Sequence, residues 1–211
     1  MKKKIKNIMV LLMTFLILTP NITTFATNMN TEKAYMKKYD KIISNMKKDM
    51  QSIKATGYPA LDFLCEMMPH HEAGISMAKN VLKYTENDEL KKIANTIIKE
   101  QGAEVQKMKE IIKCLKEKPL DENIKEEEYL KVYDCILKKM IEGLEKANTL
   151  TGCVDVDFLQ QMIIHHEGGI AMAKNILKNT TNKEIREISE NIVKTQEVQV
   201  KEMRELLKNY K

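Results

Sequence analysis

The sequence predicts an all-α protein, an antiparallel, ferritin-like helical bundle built from an internal duplication with about three helices per repeat. Three observations lead there. Apolar residues recur at intervals of three and four, and neither alternating strand patterns nor Asn-Gly hairpin signals appear. Sliding the chain by 95 residues aligns 62–113 with 157–208 without a gap, and 26 of the 52 pairs are identical, which chance does not produce. Finally, the polar connections between periodic stretches are short, which favours antiparallel neighbours.

The chain opens with MKKKIKNIMVLLMTFLILTPNITTFA: four lysines, an apolar run from Ile8 to Leu18, and small residues at Thr24 and Ala26. That order is a secretory signal cut after Ala26. The run is shorter than the ~20 apolar residues of a membrane helix, so no span is expected once it is removed. Without Lys2, Lys3, Lys4 and Lys6 the net charge falls from +5 to +1, so the basicity belongs to export and argues against nucleic-acid binding. The organisation expected is a signal at 1–26 and helical repeats at 27–118 and 119–211, packed as one domain. Its location is secreted or cell-envelope.

Within the first repeat, Thr31, Asp62 and Asn87 are the expected caps of three helices, and Asn123, Asp157 and Asn182 play that part in the second. Asn123 with Glu126 and Asp157 with Gln160 have the spacing of capping boxes. Breaks fall at 55–60, 83–88, 116–123, 148–155 and 178–182. Upstream, Tyr35 to Met46 matches Tyr129 to Met140 at an offset of 94, so one residue was gained near the loop. Cys65, Cys114, Cys135 and Cys153 contain no Cys-x-x-Cys pair, against a zinc ribbon or thioredoxin motif. Export permits disulfides, and three pairings are open; one joins Cys114 to Cys135 across the polar connection and leaves Cys65 with Cys153.

All four histidines of the chain fall in two adjacent pairs at matched positions, His70 and His71, His165 and His166. At about 100° per residue, Met67, His70, His71, Gly74 and Met77 share one arc of a helix, as do Met162, His165, His166, Gly169 and Met172. Phe63, Ala78 and Val81 turn that arc toward the core. Methionine is a common core filler, and a lone histidine on an apolar face is ordinarily a hydrogen-bonded core residue. Repetition of the pair at matched positions outweighs that reading and points to metal binding.

Met67, His70 and His71 lie within one turn and can serve one ion; Met77, about 10 Å along the axis from His70, suits a second ion or a pathway. Met108 and Met203, on the apolar face of the following helix near Gln101 and Gln196, are the cross-helix donors. Gly74 and Gly169 each cost about 1 kcal/mol of helix propensity relative to alanine, which suggests that space is needed beside the imidazoles. Glu72 and Glu167 project away from the arc, to support a ligand from behind or to face solvent rather than to bind the ion. Thioethers favour Cu(I) and Ag(I), whereas imidazole alone also suits zinc. A di-iron carboxylate centre is disfavoured, because Glu66, Glu100 and Glu104 become Gln161, Thr195 and Gln199 in the second repeat.

DFLCEMMPHHEAGISMAKNVL and DFLQQMIIHHEGGIAMAKNIL resemble the family called domain of unknown function 305, which includes CopM-like copper-binding proteins. The resemblance covers most of Asp62 to Lys208. It implies a ferritin-like bundle, export, and copper or silver binding at Met67, His70, His71 and Met77 with Met162, His165, His166 and Met172. Two departures stand out. Pro69 before the first pair is Ile164 in the second, and the histidine- and methionine-rich tails of some relatives are absent.

The expected function is an exported soft-metal-binding protein for sequestration, homeostasis or resistance, without catalysis, since no nucleophile or phosphate-loop motif is visible. Copper as Cu(I) leads, with silver or zinc behind it; a homodimer and a partner protein stay open. The competing classes are a metal-dependent redox enzyme, which would turn over with oxygen, and a metal-free interaction module, whose histidines would matter only for stability.

Overall fold

The computed structural model describes residues 28–117 and 126–210. Among them the chain is helical: α1 (Met29–Ser52), α2 (Pro59–Val81), α3 (Asp88–Glu117), α4 (Glu126–Lys146), α5 (Val154–Lys178) and α6 (Lys183–Lys208). The helices pack antiparallel, as the periodicity and short connections predict. The signal segment and the expected Asn123 cap lie outside the described residues.

The two histidine-bearing helices are the middle of the bundle. α2 packs on α1, α3 and α5, while α5 packs on α4, α6 and α2, and α3 meets α6. This placement follows from composition, because α2 and α5 are the least polar of the six and bury residues around most of their circumference. Phe63 and Phe158 are fully buried at equivalent points, each a residue whose truncation to alanine costs roughly 3–5 kcal/mol.

Helix starts differ from expectation at three places. α1 begins at Met29, and Asn28 rather than Thr31 caps it by accepting the N–H of Asn30 at 2.9 Å. α2 begins at Pro59 and α5 at Val154, so neither Asp62 nor Asp157 is a cap, and no Asp157–Gln160 capping box forms. Proline at the first helical position, needing no N–H partner, moves the start upstream in α2. Asp62 and Asp157 instead hold the preceding turns: Asp62 accepts from Thr56 N–H and Oγ1 (2.8 and 2.7 Å), Asp157 from Thr151 N–H and Oγ1 (3.2 and 2.7 Å). In those turns Gly57 and Gly152 take φ of +86° and +85°, where a side chain would be strained. Asn87 and Asn182 do cap α3 and α6, accepting from Leu90 N–H (2.9 Å) and Ile185 N–H (3.2 Å).

The repeats interlock through matched bonds. Gly57 N–H donates to Glu126 at 2.6 Å and Gly152 N–H to Glu32 at 2.7 Å, so each interhelical turn is held by the first residues of the other repeat's leading helix. Cys114 and Cys135 are separate exposed thiols, so the staple between them is not formed. Cys153 is the N-cap of α5, and Cys65 lies half-buried on α2. Among the described residues, no helix is long and apolar enough to cross a membrane.

Candidate metal centre

Where α2 meets α5, the imidazoles of His70 and His165 stack with centroids 3.7 Å apart and planes 18° from parallel. His70 Nε2 lies 3.0 Å from the His165 carbonyl, and His165 Nε2 lies 2.9 Å from the His70 carbonyl. A carbonyl only accepts, so in both rings Nε2 carries the hydrogen. Nδ1 of the neutral ring is then a bare lone pair.

His71 and His166 flank this stack, 5.9 and 5.8 Å from their chain neighbours by ring centroid. His71 Nε2 donates to Glu104 Oε2 at 2.8 Å, and His166 Nε2 to Gln199 Oε1 at 2.7 Å. Glu104 is held in turn by Asn191 Nδ2 at 3.0 Å, while Gln199 Nε2 donates to Glu100 at 2.7 Å. All four imidazoles are fully buried, and none of the four Nδ1 atoms has a hydrogen-bond partner. An unpaired buried acceptor costs about 1–3 kcal/mol, and the site repeats that cost four times.

Burial, then the neighbouring His165, pushes the His70 pKa well down. Burial, then His166, lowers His165 to about 3, and burial outweighs the Gln199 bond in lowering His166 to about 4. These three rings are therefore neutral at pH 7, the state in which imidazole ligates a metal.

Glycine shapes the same spot. A Cβ on Gly74 would lie 2.8 Å from His165 Cε1 and closer still to the Gln101 amide oxygen. One on Gly169 would lie 2.8 Å from His70 Cε1 and 2.7 Å from the Gln196 amide oxygen. Each repeat thus clears room for the other repeat's histidine. Gln101 and Gln196, both buried, have no partner for either amide atom.

Met67, Met77, Met108, Met162, Met172 and Met203 are all buried at 1 % exposure or less, on the helices that enclose the histidines. Glu72 and Glu167 face solvent and pair with Lys109 and Arg204, as expected. Met67, His70 and His71 lie together on α2, and His70 is joined across the repeats to His165. Glu104, Gln199, Gln101 and Gln196 lie within the centre's hydrogen-bonding and packing shell. Spacing carried a signal for them, since 101, 104 and 108 lie on one face of α3 that already held Met108.

The donor set favours a soft ion. Among the described residues, no three His, Cys, Asp or Glu side chains are grouped to hold a metal, and the other buried side chains with donor atoms on these helices include the methionine thioethers and the glutamine amides. Four orphaned nitrogen lone pairs inside a methionine-rich core fit that chemistry.

Solved structures of CopM resemble this fold. CopM in its Cu(I)-bound form matches with a TM-score of 0.54 and 28% identity, covering 72% of this chain and 96% of that one. The silver-soaked form gives 0.55 at 28% identity (72% and 96%), and the Cu(II)-bound form 0.57 at 27% (72% and 97%). A DUF305 fragment from Deinococcus radiodurans shares the fold at a TM-score of 0.52 and 22% identity, covering 71% of this chain and 95% of its own. No curated protein matches the chain. The family model for the domain of unknown function DUF305 matches residues 11–112 and again 122–207, once for each repeat, and the chain belongs to that family.

Proposed function

We propose that this chain is an exported protein that binds a soft monovalent ion, Cu(I) or Ag(I), in the buried centre between α2 and α5, and so sequesters or passes on the metal without catalysing a reaction. The observation that carries the reading is the set of four imidazole Nδ1 atoms, buried and unpartnered, with Nε2 of each ring already committed to a fixed acceptor. Committing one nitrogen orients the ring and leaves the other as a ligand. His70 and His165 are the primary ligands in this reading, with His71 and His166 beside them. Met67, Met162, Met77, Met172, Met108 and Met203 supply the thioethers that select Cu(I) over zinc.

The likeness to CopM structures bound to silver and copper supports this reading. The amino-terminal run of lysines and apolar residues supports export. The decisive test is an anaerobic Cu(I) titration of the purified, reduced protein against a chromophoric chelator, with zinc in parallel. One or two tightly bound Cu(I) and weak zinc support the proposal. Unchanged stoichiometry in a folded variant with all four histidines replaced by alanine would sink it.

A further inference from the structure

A groove of about 680 Å³ opens between α1 and α4, away from the histidines, at a point where the two repeats differ in sequence. In the second repeat, hydrogen bonds tie the corresponding helices together. Gln161 accepts from Tyr35 Oη at 2.7 Å and donates through Nε2 to the Ala147 carbonyl at 3.2 Å, while Tyr39 Oη donates to the Leu144 carbonyl at 3.0 Å. At the duplication offset, the first repeat has Glu66 for Gln161, Tyr129 for Tyr35, Tyr133 for Tyr39, Met50 for Leu144 and Ile53 for Ala147.

Only half of the tie survives there. Tyr129 Oη still donates to Glu66, at 2.6 Å, but a carboxyl group has no N–H to offer Ile53. Tyr133 is 5 % exposed and its hydroxyl has no partner at all. Glu66, Tyr133, Met50 and Ile53 line the resulting groove, with Leu137 and Ile141 as its apolar wall. Asp134, Glu142 and Glu145 at its edge outnumber Lys47 and Lys138, so its field favours a cation.

We propose that this groove is a binding site for a small primary ammonium group on a short aliphatic stem, with the ammonium seated between the Glu66 carboxylate and the Tyr133 hydroxyl oxygen and the stem against Met50, Leu137 and Ile141. An ammonium brings three donors to a place where the chain has lost one, and its bond to a buried carboxylate is charge-assisted.

The probe is n-butylammonium, followed by calorimetry and by NMR of the Tyr133 ring, with n-butanol as the uncharged comparison. The expected result is saturable binding that weakens at least tenfold in Glu66→Gln and several-fold in Tyr133→Phe, and no saturable binding of butanol. Glu66→Gln reproduces the residue of the second repeat and so keeps the fold. Because Glu66 lies outside the histidine centre, its Cu(I) titration should match wild type, which separates this proposal from the metal reading. Non-saturable binding, equal affinity in Glu66→Gln, or butanol binding as well as butylammonium would each overturn it.

Discussion

His70 and His165 occupy the same position in the two repeats, stack on each other at 3.7 Å, and exchange hydrogen bonds with each other's main-chain carbonyls. The bundle's centre is therefore a joint between duplicates, and a change on one side reaches the other. Replacing either histidine with alanine removes a fully buried ring and frees a carbonyl, and should destabilise the metal-free protein by about 2–4 kcal/mol. Because the pair is shared, the double variant should cost clearly less or more than the two single costs added together, measurable as a coupling of 0.5 kcal/mol or more in a urea-denaturation cycle. Additivity would mean that the contact carries no energy of its own.

Glycine supplies the second prediction. Gly74→Ala and Gly169→Ala drive a methyl group into the opposite repeat's histidine and the adjacent glutamine amide, and should each destabilise by about 1–3 kcal/mol despite alanine's better helix propensity. Gly102→Ala on α3 meets nothing within 4 Å and should stabilise by up to about 1 kcal/mol. Thermal melts of the three variants decide it. If all three shift together, helix propensity alone governs these positions.

Much of this was legible in the chain itself. Helix number, the duplication and the inward face of the histidines follow from period and repeat, which a sequence displays directly. Three things did not show. Helix starts at Pro59 and Val154 were hidden because Asp62 and Asp157 look like caps while serving the turn behind them. The stack of His70 on His165 was hidden because local spacing relates residues within a helix and says nothing about which helix faces which. The groove at Glu66 was visible only as a broken carboxylate pattern, since its meaning depends on what Gln161 does in the twin.

Glutamate at 104 and glutamine at 199 make the two flanking histidines unequal. An anionic acceptor on Nε2–H raises the basicity of the other ring nitrogen more than a neutral amide does. Glu104→Gln should therefore lower Cu(I) affinity in the first repeat by roughly tenfold, the low end of the usual range for such supporting residues. Gln199→Glu should raise affinity in the second. Competition titrations that resolve two binding steps are the measurement; identical curves for wild type and both variants would place Glu104 outside the metal chemistry.

The last prediction concerns acid and base. Glu66 titrates near 8 in the folded protein and at the ordinary value, about 4.3, when unfolded. Its folded pKa is raised, so below about 4.3 it is protonated in both states and costs nothing. As pH rises from there toward 8 the unfolded chain loses its proton while the folded one keeps it, so stability declines across that window by a few kcal/mol. Asp157, raised to about 7 chiefly by burial and beside Glu32, slopes the same way over an overlapping range. The Glu66→Gln variant isolates one contribution from the other. Urea denaturation at pH 5 and pH 8.5 should show Glu66→Gln gaining on wild type at the higher pH, whereas Asp157 keeps its slope in both proteins. An equal loss in wild type and Glu66→Gln would mean that Glu66 ionises freely in the fold, and that the groove it lines is wetter than its burial implies.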